Sequence, residues 1–350
     1  MKKIAFLPAH PSQVWLLHSI QTYLMAQSKY EFIWVLRDKD ISCELADRLG
    51  IKYQCISTAS TGLLGNAVEL AGNIFKCLKI GKKRKIDLWV TKYGAGNIAG
   101  FLLQQKSLSF NDDDVDQVPL IAHTSYPFAE RILCPDVLRM GSYDKKSRRY
   151  AGCHELIYLH PNRFIPDPGV YRELGIDPSR KFILMRLSAL TAHHDKNIRG
   201  ISEAVVMRVI GLCTKLNIQC YISSEKTLPS SLSSYRLNIP VHRIHHALAF
   251  ACLFIGDSQT MTSEAAVLGT PAFRLSDFQG RLSVIDEFER YRLAFGFSPD
   301  DQENFLTAVE RMLIGVDLEK YNSNHRKFLT DKSDPVPWFS EQIIQVLESN

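Results

Sequence analysis

The sequence predicts an α/β protein of two doubly wound domains, each a parallel sheet with helices on both faces, facing one another across a cleft. Three observations predict it. A length of 350 residues exceeds what one ordinary core supports and suits two domains of similar size. Short apolar runs alternate with stretches of helical period along the chain, as successive β-α-β units require. The alternation halts at 158–175 (YLHPNRFIPDPGVYRELG), which holds three prolines and no period, and then restarts. That stretch reads as a linker.

In the first domain, strands are expected at 3–7, 31–36 and 52–56, with helices over 12–26, 41–49 and 63–80. Further short strands are expected at 87–90, 107–110 and 120–122. In the second, 181–187, 218–223 and 253–255 read as strands and 198–216 as a helix. Helical period returns at 301–314 and 336–347. The boundary is placed so that 1–165 and 166–333 form the two domains.

Composition narrows the function. Hydrophobic content of 45% and charged content of 23% belong to a globular chain, not a disordered one. The net charge of +5 is modest and its basic residues are spread out, so an anionic small ligand fits and nucleic acid is not implied. The apolar run at 4–7 is too short for a signal peptide, and the one at 247–255 is too short for a membrane span. The default address is the cytoplasm. The eight cysteines include no CxxC pair and read as reduced core residues.

The stretch 256–271, GDSQTMTSEAAVLGTP, carries the chemistry. A buried-strand pattern stops at Gly256, and a helix is expected from about Thr262 to Leu268. Gly269 is placed to end it in a left-handed conformation, with Pro271 following. A strand–turn–helix directs backbone N–H groups and the helix dipole at one spot, so a diphosphate can dock without lysine. The backbone at Met261 and the hydroxyls of Thr260 and Thr262 are candidate contacts. Glu264, expected in the first helical turn, suits ribose hydroxyls; its alternative is to complement the dipole.

This segment resembles the donor-site motif of GT-B glycosyltransferases and of non-hydrolysing UDP-N-acetylglucosamine 2-epimerases. More closely, the chain resembles a bacterial and archaeal family of predicted glycosyltransferases related to those epimerases. The matching pieces are FNDDD (110–114), YAGCHELIYLHPNRFIPDP (150–168), RLSALTAHHD (186–195) and TMTSEAAVLGTP (260–271). The resemblance implies a GT-B fold of two Rossmann-like domains, with 334–350 as a C-terminal helix packing back on the first. It implies a nucleotide-sugar donor, UDP-linked, as substrate, with no separate cofactor and no bound metal. One departure is Asp257-Ser258-Gln259, where the family tends to carry glycines.

Other candidates follow. His10 lies just after the first strand; it either takes a proton from an acceptor hydroxyl or caps the next helix. Asp112 and Asp114 match the family's acidic pair, with Asp113 at a variable position; the alternative is a solvated acidic loop. Arg186, Ser188 and His194 lie at and after the first strand of the second domain. They are candidates for the diphosphate and, for His194, for catalysis, against a structural contact between His194 and Asp195. By resemblance Arg243 and Ile244 line the base pocket, reading the base with backbone groups. The run 79–85 (KIGKKRK) is either a solvated helix end or a contact with anionic lipid headgroups, which would suit peripheral attachment to the inner face of a membrane.

The reading is therefore a glycosyltransferase acting on a surface-glycan or lipid-linked acceptor. The alternatives are an epimerase on the same scaffold and a non-catalytic nucleotide-sugar-binding protein.

Overall fold

The computed structural model describes residues 1–27, 30–60, 62–187, 200–224, 227–277 and 279–349. The chain divides into two compact units, Met1–Tyr158 with Ser333–Asn350, and Leu159–Lys332.

The first unit holds a parallel seven-stranded sheet. Its strands are β1 (Lys2–Leu7), β2 (Tyr30–Asp38), β3 (Tyr53–Thr58), β4 (Leu88–Thr91), β5 (Lys106–Phe110), β6 (Arg131–Pro135) and β7 (Ser147–Tyr150). The order is β3-β2-β1-β4-β5-β6-β7. The central strands read IAFL and LWV because a parallel sheet covered on both faces leaves no polar side. Ala5, Leu7, Val35, Trp89 and Ala99 form one buried cluster there.

Two expectations fail in this unit. Residues 120–122 lie in a helix, Pro119–Ser125, since Pro119 suits the first helical position and three apolar residues show no period. β6 and β7 were not anticipated. β7 is the edge strand, with Arg148 and Arg149 exposed, so it lacks the apolar run that marks inner strands.

The helix Pro335–Glu348 belongs to this unit. Asp334 caps it by accepting from the Val336 N–H at 3.0 Å. Phe339 packs edge-on against Phe110, and Arg131 donates to Gln342 and Gln345 at 2.8 and 2.7 Å.

The second unit holds a parallel five-stranded sheet of β8 (Phe182–Leu187), β9 (Gln219–Ser224), β10 (Leu253–Gly256), β11 (Ala272–Leu275) and β12 (Ala294–Phe297), in the order β12-β11-β10-β8-β9. One face, carrying Ile183, Met185, Leu253, Ile255 and Phe273, packs with Val205, Val209, Phe305 and Val309. The helix expected from 198 begins at Glu203, because the Ser202 side chain caps it by accepting from the Val205 N–H.

The proline-rich stretch is not a free linker. Val170–Leu174 is helical, and Arg243 grips the segment through Asp167 at 2.7 Å and Glu173 at 2.9 Å. Phe164 stacks beside His246.

Candidate functional site

Open parallel sheets bind ligands beyond the carboxyl ends of their strands, where the strand order reverses. In the second unit that point lies between β8 and β10, since β9 and β11 lead away from it on opposite sides. The last register row across the sheet is Ser223, Arg186, Gly256, Arg274, Gly296. Two arginines thus flank one glycine, with small residues outside them.

The row has a physical logic. Neighbours in register point to the same face, so each guanidinium needs a small residue beside it. Arg186 donates to the Ser223 hydroxyl at 2.8 Å. Arg274 is only 3% exposed; its Nη2 meets Ser276 at 3.5 Å, and its Nε has no hydrogen-bond partner among the described residues. Burial pushes the Arg274 guanidinium below its usual pKa, and Asp257 and Glu289 offset only part of that. A buried cation this poorly compensated suits an anion.

Gly256 is required by packing. A Cβ there would sit 2.7 Å from the Phe254 ring and 3.2 Å from the Arg186 carbonyl oxygen. Gly256→Ala is expected to destabilise the fold by about 1–3 kcal/mol, read as a lower urea midpoint; an unchanged midpoint would show that the ring moves aside freely.

The turn itself departs from expectation. The helix begins at Gln259, earlier than Thr262, because the Ser258 side chain caps it by accepting from the Met261 N–H. Its end is as expected, Gly269 being left-handed at φ 83°. Thr262 is not a free donor: it is fully buried, and its hydroxyl donates to the Ser258 carbonyl at 2.7 Å. Thr260, half-buried, stands in the first turn of this helix. Glu264 lies beyond the first turn and is buried, 3.0 Å from His245 Nε2. The earlier helix start moves it inward, onto a neighbouring helix.

The Arg243 side chain is likewise engaged, by Asp167 and Glu173, and holds the chain there. Ile244 begins the helix Ile244–Phe250 and is half-buried. Ser188 and His194, with His193 and Asp195, lie outside the described residues.

In the first unit the order reverses between β1 and β4, and the Thr91 hydroxyl joins their ends by donating to the Leu7 carbonyl at 2.8 Å. His10 follows β1 and caps the helix Pro11–Met25: its Nδ1 accepts from the Ser12 N–H. The same Nδ1 lies 2.8 Å from the Ser12 hydroxyl, so the capping expectation for His10 is met by its Nδ1 side.

Lys92 follows β4 and, like Arg274, was missed by sequence reasoning. Its ammonium is buried and paired with Asp112 and, at 2.6 Å, with Asp113. His154 Nδ1 lies 3.6 Å from the other Asp112 oxygen. Burial opposes ionisation of Asp112, but Lys92 and His154 outweigh it and hold the carboxyl well below the usual range. Burial also disfavours the Lys92 charge, and Asp112 and Asp113 raise its pKa on balance. The carboxylate brought beside Asp112 is therefore Asp113. Asp114 turns away, accepting from the Arg139 N–H and pairing with its guanidinium, both at 2.8 Å.

Around this cluster, Tyr126 Oη, Tyr150 Oη and His154 Nε2 are buried with no hydrogen-bond partner among the described residues. Tyr150 stacks on the His154 ring. Such atoms mark sites where polar ligands or water are received. Among the described residues, no three His, Cys, Asp or Glu are arranged to hold a metal ion.

The missed residues had faint signals. Arg274 interrupts an apolar run (PAFRL), and Lys92 stands one residue after one (LWVTK). A charge ending a buried strand is a functional hint that only its register neighbours make specific.

A scan against protein-family models finds no match, and a search of curated proteins finds none. Solved structures do match. The UDP-GlcNAc 2-epimerase of Neisseria meningitidis, bound to UDP-GlcNAc, is 11% identical, with a TM-score of 0.71 over 99% of this chain and 100% of that one. The S. aureus MnaA–UDP structure is 15% identical, with a TM-score of 0.67 over 98% of this chain and 95% of that one. A spinosyn forosaminyltransferase is 14% identical, with a TM-score of 0.64 over 98% and 99%. At these identities the likeness carries the architecture: two Rossmann-like units of the GT-B fold.

Proposed function

We propose that the protein is a glycosyltransferase that moves a sugar from a nucleotide-diphosphate donor to a glycan or lipid-linked acceptor. The observation that carries this reading is the Arg186–Gly256–Arg274 row at the switch point of the second sheet. Two cations and the start of the helix Gln259–Leu268 there suit a diphosphate, both in the ground state and as a departing group whose charge grows. The Thr260 hydroxyl adds a donor. By the same reading the donor is UDP-linked, as the UDP bound in the similar MnaA structure and the UDP-GlcNAc bound in the similar Neisseria meningitidis epimerase suggest. Asp112 is a weak base when held ionised by Lys92, so its proposed role is to hold an acceptor hydroxyl.

The test is a melting panel of UDP-, GDP-, CDP- and CMP-linked sugars, followed by turnover. One donor class should raise the melting temperature, since a ligand at a hundred times its Kd adds about 2.7 kcal/mol of stability. Nucleoside diphosphate should then be released only when an acceptor is supplied. Interconversion of the sugar without acceptor would replace this reading with an epimerase. A thermal shift with no turnover would leave a binding protein, and no shift at all would remove the donor site.

A further inference from the structure

The helix Gly62–Arg84 contains one carboxylate, and that carboxylate faces inward. Glu69 is buried, accepting from Arg37 at 2.6 and 2.9 Å, from the Ser60 N–H at 2.8 Å and from the Ser57 hydroxyl at 2.7 Å. These partners hold its carboxyl at about 2 despite burial. The outward face is of two kinds. Leu64, Val68 and Phe75 are 85%, 74% and 58% exposed; Lys79, Lys82 and Lys83 continue the same side and are exposed. At about 100° per residue all but Lys83 fall within about 60° of one another. The Lys79 ammonium lies 4.4 Å from the Phe75 ring centre.

A solvated helix face ordinarily mixes charges of both signs. This one is apolar over its first half, cationic over its second, and carries no exposed acid. A second copy packed through this same face, as a two-fold interface requires, would cover the apolar half but bring no exposed carboxylate of that helix to its lysines. A nucleic acid would pair the lysines and leave Leu64 and Val68 in water. A bilayer with anionic headgroups does both. No helix among the described residues is long and apolar enough to cross a membrane, so the contact is one of lying on it.

We propose that the outer face of this helix docks the protein onto a bilayer that carries anionic headgroups, with Leu64, Val68 and Phe75 entering the interface and the lysines pairing with phosphates. The test is co-sedimentation of the full chain with phosphatidylcholine vesicles, with and without phosphatidylglycerol. Wild-type protein should bind the anionic vesicles, prefer them strongly over the neutral ones, and be partly released by salt. Lys79→Gln, Lys82→Gln and Lys83→Gln together should weaken partitioning about 100-fold. Leu64→Gln, Val68→Gln and Phe75→Gln together should abolish the fraction that resists salt. All six side chains are exposed, and unchanged melting temperatures confirm the fold of each variant. Wild-type protein left in the supernatant would overturn the proposal, and so would variants that bind like wild type. A wild-type dimer that Val68→Gln dissolves would also overturn it, by assigning the face to a second copy. None of these readouts uses a nucleotide sugar, so they stand apart from the donor-site test.

Discussion

Replacing Lys92 with methionine is expected to destabilise the first unit by about 3–5 kcal/mol, the range for removing one partner from a buried ion pair. Lys92 is 7% exposed at the side chain and bridges Asp112 and Asp113; without it two carboxylates share a half-buried site with no fixed cation. The pH dependence should flatten as well. In the native protein the folded pKa of Asp112 lies well below its ordinary value. Its contribution to stability is therefore full above about pH 4 and is lost as pH falls through the folded value. In the variant, burial and the Asp113 charge act on Asp112 with only His154 opposing them, so its folded pKa should rise toward the unfolded one. The stability lost on acidification should then be smaller than in the native protein. Urea melts at several pH values measure this, and parallel profiles for the two proteins would show that Lys92 is not the group that keeps Asp112 ionised.

Arg274→Met is expected to separate stability from binding. The native guanidinium is 3% exposed, with Nε unpaired and only Asp257 and Glu289 in partial compensation. Arg274 makes no close ion pair among the described residues, so removing its charge relieves a desolvation cost, and the melting temperature without nucleotide should hold or rise. Affinity for UDP should fall about 10–100-fold, because a hydrogen bond to a charged group contributes about 1.5–3 kcal/mol and each tenfold is about 1.4 kcal/mol. Calorimetric titration of both proteins with UDP decides it. A variant that melts lower and binds equally well would make Arg274 a structural residue that the donor site does not use.

Much of the architecture was legible beforehand because its signals are local. Strands such as 3–7 and 253–255 are apolar runs between polar stops, and parallel strands covered on both faces must be apolar throughout. The Gly269 cap was legible for the same reason, since only glycine tolerates that left-handed position readily. β7 and the helix Pro119–Ser125 were not legible. An edge strand carrying Arg148 and Arg149 has no apolar face to show, and three apolar residues beside a proline fit helix and strand alike.

The candidate sites divide along the same line. By itself the sequence determined the kind of protein: two parallel α/β units, a strand–turn–helix junction at 256–271, and a basic stretch closing the helix at 62–84. Tertiary structure alone decided which side chains meet. It set Glu264 against His245, closed the Thr262 hydroxyl onto Ser258, turned Asp114 toward Arg139 and put Lys92 beside Asp112. It also aligned Arg186, Gly256 and Arg274 in one row. The reason is physical: a strand's own residues dictate that it is buried, but register with its neighbours dictates which charge it must answer, and those neighbours lie far away along the chain.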